Sequence, residues 1–181
     1  LASRNFMSWM QLELKICRPR QSLQQQQRRK FLPGAGPMDA EAHAMISVHS
    51  EHAANIVSGV KTVELRRRFM SLPLGSRLWI YSTLPVGALV ATATIVAIDY
   101  DSPHELWSRY QFEAAVSKSL FFQYFGDCEL GCAIQLDGIE PISPVPLDSI
   151  RRIRGVEHIP QVATRISMIE ASQFEEFRHF R

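Results

Sequence analysis

The chain has 181 residues, 46% of them hydrophobic and 21% charged. These are ordinary globular proportions, and no apolar run approaches the ~20 residues of a membrane-spanning helix. The net charge of +2 hides a split: residues 1–44 carry seven Lys/Arg and three Asp/Glu, the remainder thirteen and fifteen. The body of the chain is therefore not a strongly basic nucleic-acid binder, and any such contact needs a local patch. Three cysteines, an odd number, argue against a disulfide framework and for a reducing compartment, the cytoplasm.

Residues 1–44 read as a different kind of chain. Gln24 to Gln27 are followed by Arg28-Arg29-Lys30 and then by Pro33-Gly34-Ala35-Gly36-Pro37. A polar, Pro/Gly-punctuated stretch of this kind buries too little surface to offset its ordering entropy. It is expected to be disordered, apart from a short helix over Phe6–Ile16, and it lacks the apolar core of a signal peptide. Either it is a basic arm that touches nucleic acid through Arg28, Arg29 and Lys30, or translation starts downstream at Met38 or Met45. The folded domain is placed at residues 45–181.

From there strands and helices alternate. Ala44–His49 is a β-rich run. Ser50 can cap a helix with Ala53, Ile56 and Val57 on one face, which Gly59 stops. Val60–Arg67 alternates as a strand, Pro73 to Gly75 turn, and Arg77–Thr83 and Gly87–Tyr100 are strands rich in β-formers. Ser102-Pro103-His104-Glu105 has the form of a capping box with proline at the first helical position, and Leu106, Trp107 and Tyr110 make the buried face. Ser117–Phe125 is a second short helix ended by Gly126. Gly131–Gly138 is a strand, Ile139–Pro146 a proline-punctuated edge or loop, and Leu147–Arg154 a helix. Arg165–Ile169 and Ser172–Phe180 supply a last strand and helix. Strict βα alternation is absent, which argues against a doubly wound parallel sheet. The expected class is α+β: a small mixed β-barrel of five to six strands with flanking helices.

The chemistry concentrates between Gly59 and Arg68. On a strand, Val63 and Leu65 point to the core while Thr62, Glu64 and Arg66 share the opposite face. Glu64 and Arg66 lie roughly 7 Å apart at Cα, close enough for an ion pair. Lys61 sits where helix turns into strand. Burial and the charge of Arg66 would disfavour its ammonium form, and Glu64 would favour it. A partly desolvated Lys61 is a candidate base near neutral pH. The competing reading is a solvent-facing charged strand with a surface ion pair below ~1 kcal/mol.

The pattern Gly59-x-Lys61-x-x-Glu64-x-Arg66, directly after a short strand and helix, resembles the signature of the ASCH domain, a member of the PUA-like superfamily. The strands and helices that follow come in that family's order, and His158-Ile159-Pro160-Gln161 resembles its Pro-Gln segment. The likeness spans Met45 to Met168. It implies a PUA-like barrel with the motif at a cleft, and a link to RNA through binding, modification, cleavage or hydrolysis of an acetylated cytidine. In the small amidohydrolase subgroup a threonine stands at the position of Glu64. The chain is more similar to the longer ASCH proteins linked to transcription or translation.

Two functions follow as expectations. The first is a module that binds single-stranded RNA or a nucleotide. Lys61 and Arg66 would hold phosphate or a base carbonyl, Glu64 would orient Arg66, Tyr81 would stack, and Ser82, Arg68 and Gln161 would line the cleft. The second is an RNA-processing hydrolase with Lys61 as base, Glu64 its partner and Thr62 or Ser82 an accessory hydroxyl. A buried Lys61 favours the enzyme, an exposed one simple binding. Leu120–Phe125 is either core or a docking face for a protein partner. Arg151, Arg152 and Arg154 would join Arg66, Arg67 and Arg68 in a phosphate patch if the fold brought them together. Cys128 and Cys132, four residues apart, do not have zinc spacing, so neither a metal nor another cofactor is expected.

Overall fold

The computed structural model describes residues 42–177. The basic triplet and the helix expected over Phe6–Ile16 lie outside the described residues. In chain order the elements are β1 (His43–Val48), α1 (Ser50–Val57), β2 (Val63–Arg66), β3 (Arg77–Ser82), β4 (Ala88–Asp101) and α2 (Pro103–Tyr110). They continue with α3 (Lys118–Phe125), β5 (Gly131–Pro146), α4 (Leu147–Arg154), β6 (Thr164–Ile166) and α5 (Met168–Glu176).

Local signals explain most boundaries. The Ser102 hydroxyl accepts the Glu105 N–H with Pro103 opening α2, and Ser117 accepts the Leu120 N–H to start α3. A full capping box, Ser167 with Glu170, starts α5 at Met168, earlier than the expected Ser172. The strand before it is accordingly shortened to Thr164–Ile166. Strand β2 begins at Val63, later than expected, because the Lys61 N–H still bonds back to the Asn55 carbonyl of α1. The proline-rich Ile139–Pro146 is not a loop but the second half of β5, paired with Ala88–Thr92 of β4. Its prolines are tolerated because β2 pairs with β5 only from Cys132 to Gln135. Beyond that point one edge of β5 has no ladder to lose.

The six strands form one mixed sheet in the order β2-β5-β4-β3-β1-β6. The β1–β3 pair is parallel, and the other ladders are antiparallel. This is the α+β, PUA-like arrangement that the sequence suggested, with one refinement. Among the described residues no ladder joins β2 to β6, so backbone pairing does not close the barrel.

One face of the sheet carries Ile46, Ile80, Ala93, Ile95 and Ile134, covered by Ala53 and Ile56 of α1. The other face holds two clusters. Near β1 and β3, Met45, Trp79 and Leu89 pack against Ile150 of α4 and Phe174 of α5. Near β2, Val63, Leu65 and Ala133 pack against Leu106 of α2 and Phe121 and Phe125 of α3. Helix α1 therefore lies alone on one face, with α2 to α5 on the other. Among the described residues no helix is long and apolar enough to cross a membrane.

Gly131 is where β5 passes closest to the helices. A Cβ there would collide with the Phe125 ring and lie 2.9 Å from Leu106 Cδ1. Gly131→Ala should lower stability by about 1–3 kcal/mol through overpacking, read as a fall in the urea midpoint at unchanged m-value.

Candidate functional site

Alternation along β2 sends Val63 and Leu65 into the cluster under α3. It turns Glu64 and Arg66 to the α1 face, opposite Ile134 and Cys132 of β5. Lys61, Glu64 and Arg66 are only 3%, 4% and 2% exposed, so the surface ion pair is excluded. One Glu64 oxygen lies 3.4 Å from Lys61 Nζ and the other 3.1 Å from Arg66 Nε. Each cation also has a main-chain partner. Lys61 Nζ donates to the Ala114 carbonyl at 2.7 Å, and Arg66 Nη2 donates to the Ser47 carbonyl at 2.5 Å.

Burial pushes the Lys61 amine below its ordinary value of 10.5, against the pull of Glu64. For Glu64, burial alone would raise the carboxyl, but Lys61 and Arg66 outweigh it and hold the pKa below 4.5. Desolvation is the stronger effect on the lysine because removing an ammonium from water is costly unless it is fully paired. Here the carboxylate that would compensate it is shared with Arg66.

The site opens into a small, shallow cleft, much of which is open to solvent. His52, Lys61 and Glu64 make its polar side. Leu65, Val116 and the α3 residues Leu120, Phe121 and Tyr124 make its apolar side. Because β2 is an end strand of the sheet, the cleft can reach both α1 on one face and α3 on the other. The loop after α2 fixes the edge of β2: the Thr62 and Val63 N–H groups both donate to the Glu113 carbonyl. Behind the cleft, the Arg67 side chain donates to the Tyr124 carbonyl and tethers the end of α3 to β2.

The other expected residues are distributed. Thr62 is half-buried, and its backbone anchors the edge through Glu113 and Leu136. Ser82 is 2% exposed, and its hydroxyl has no hydrogen-bond partner among the described residues. Tyr81 is buried on the opposite face of the sheet with Met45 and Trp79. There it stands in register with Ser47. The Ser47 hydroxyl donates to the Pro160 carbonyl at 2.7 Å, so Ser47 connects the Arg66 side of the sheet to the Pro160-Gln161 segment. Gln161 and Arg68 are exposed.

The shared arginine patch does not form. Arg66 is buried with Glu64, and Arg67 is held against α3. Arg154 bonds Glu170, Thr164 and the Arg165 carbonyl, on the face of the sheet opposite Arg66. The aromatic helix α3 buries Phe121 and Phe125 and half-buries Leu120, Phe122 and Tyr124, so most of the expected docking face packs on the protein itself. Cys128 and Cys132 are buried free thiols.

His52 was missed by sequence reasoning. The signal was present: it lies four residues before Ile56, on the face of α1 that turns inward. Burial lowers its pKa from 6.5, opposed by Glu64 and reinforced by Lys61, so the imidazole is neutral at neutral pH.

Glu64 serves two buried cations, so its loss should cost more than the loss of either. Glu64→Gln should destabilise by about 3–5 kcal/mol, and Lys61→Met by less, in urea unfolding at pH 7. The folded pKa of Glu64 lies below 4.5, so its contribution is whole above pH 4.5 and is lost as the pH falls through the lower folded value. Among stability–pH curves, that of Glu64→Gln should be the flatter below pH 4.5.

No family model matches the chain. A protein of Zymomonas mobilis named ASCH domain-containing ribonuclease is 41% identical over 121 residues, covering 67% of this chain and 82% of the relative. The crystal structure of ASCH from Zymomonas mobilis superposes with a TM-score of 0.72 at 38% identity, over 74% of this chain and 94% of that one. A crystal structure of a tyrosine-to-phenylalanine mutant of that protein gives the same TM-score of 0.72 at 37% identity, over 74% and 96%. The order of elements, the buried Lys61–Glu64–Arg66 motif and this degree of identity lead to one conclusion: the chain belongs to the ASCH domain family.

Proposed function

We propose that this ASCH domain binds single-stranded RNA in the cleft between α1 and α3 and cleaves it. Lys61 is the proton-transfer group, and Glu64 is the carboxylate that holds it. The observation that carries this reading is the burial of the Lys61 amine. A solvated lysine contributes only a point charge to a phosphate. One that lines a cleft, has its pKa pulled down by burial and is held by a carboxylate gives up its proton more readily than a solvated one. The name of the Zymomonas mobilis relative, a ribonuclease, supports RNA as the substrate. The concave cleft with one apolar side suits an unpaired strand better than a duplex, whose bases are stacked away from protein side chains. Reduced, buried thiols fit a cytoplasmic RNA-acting protein.

The other reading is binding without cleavage, and it is favoured by how completely the triad's charges are matched within the protein. Either way the cation among the residues that line the cleft is Lys61, and it is buried. The salt dependence of binding should therefore be shallow, near −0.7 per phosphate engaged.

A time course of the full chain on mixed single-stranded RNA separates the two. Wild type should shorten the RNA. Lys61→Met, with its fold checked by circular dichroism, should slow this by at least about 100-fold. RNA left intact by wild type but still retained by it would remove cleavage and leave binding.

A further inference from the structure

The polar side of the cleft includes one group the proposed function does not use. His52 lines the cleft beside Lys61 and Glu64. Its Nδ1 is buried, with no hydrogen-bond partner among the described residues. Buried polar nitrogens are normally satisfied, and one that is not calls for an explanation. The charged and titratable groups acting on it are Glu64 and Lys61 from the β2 side, and Glu51 and His49 from α1 and its start. Burial keeps the ring neutral, so it adds no charge to the cleft.

The remaining charges are matched internally. Lys61 is held by Glu64 and the Ala114 carbonyl, and Arg66 by Glu64 and the Ser47 carbonyl. A phosphate against this wall would meet the Glu64 carboxylate and the Lys61 ammonium, which is already engaged. A neutral planar group would not be repelled, and the half-buried side chains of Leu120 and Tyr124 face it with apolar and aromatic surface. Such surfaces bind bases through stacking and contact.

We propose that His52 is the base-reading residue of the cleft: an unpaired nucleobase sits against Leu120 and Tyr124, and the imidazole hydrogen-bonds its edge. The strand's backbone is then carried past Lys61. This rests on the RNA reading above and adds which part of the nucleotide enters the cleft and what selects it. A site built to hydrogen-bond one edge discriminates against bases that leave its polar group unpaired.

The test is equilibrium anisotropy with the full chain and four 2′-O-methyl hexanucleotides, each of a single base. A fifth strand carries abasic residues. Wild type should prefer one base by at least about fivefold, and should bind the abasic strand at least about tenfold more weakly than the preferred one. His52→Phe keeps a ring without nitrogen and should bring the four affinities to within about twofold of one another, with no change in salt slope. His52→Gln, which can still hydrogen-bond, should restore part of the preference. A structural histidine would shift all four affinities together and leave their ratio intact, and that result overturns the proposal. Equal affinity for the abasic strand overturns it as well. If RNA is bound and cut with no base preference, the inference falls and the RNA reading stands. If no strand binds and mixed RNA is untouched, both fall.

Discussion

The carboxylate of Glu64 is the interaction on which the rest of the site depends. It is buried, and it faces two cations that are also buried. A buried ion pair is weak evidence for stability, because desolvation can exceed the Coulombic gain. Its geometry is nonetheless demanding: removing the carboxylate takes from two buried positive charges the counter-charge they share. The triad thus fixes where β2 lies relative to α1, and where the loop carrying Ala114 meets the edge of the sheet.

Arg66 extends that constraint across the fold. Strands β2 and β1 stand four positions apart in the sheet, yet the Arg66 guanidinium reaches the Ser47 carbonyl of β1. A flat sheet could not allow it, since neighbouring strands are spaced about 4.8 Å apart. The sheet therefore curls around the cluster beneath α1, and a side chain bridges the gap that backbone ladders leave open. Ser47 passes the connection on to the Pro160 carbonyl through its hydroxyl. A buried arginine here does the closing that a hydrogen-bonded strand pair does in a complete barrel.

The position of β2 at the end of the sheet also explains the cleft. An interior strand would be flanked by neighbours on both sides. An end strand leaves its edge to loops and side chains, so α1 and α3, from opposite faces, can border one concavity. The result is a cleft with unlike walls: charged and imidazole groups from α1 and the motif, apolar and aromatic groups from α3. Proton transfer and base contact can then occupy neighbouring places without competing for the same side chains.

Much of this was legible in the sequence. The alternation of Val63 and Leu65 against Glu64 and Arg66 is a local property of a strand, and it held. The caps at Ser102 and Ser117 are local too, and so is the Ser167–Glu170 box. The prolines of Ile139–Pro146 misled, because whether a proline breaks a strand depends on which edge lacks a neighbour, and pairing is not local. What only the tertiary structure decided is burial and company. The sequence placed Tyr81 and Ser82 beside each other near the motif, but strand alternation put them on opposite faces, with Ser47 standing between Tyr81 and the Arg66 side. The arginines 151–154 were grouped with 66–68 by composition, and the sheet separates them. His52 was an ordinary helical histidine until α1 was laid over β2. The sequence by itself determined the family, the faces of β2 and the residues of the triad, since these rest on short-range periodicity and spacing. That Lys61 is buried, that Glu64 serves two cations and that a neutral histidine shares their cleft depend on contacts between elements far apart in the chain. Only the folded chain sets the solvation on which their chemistry rests.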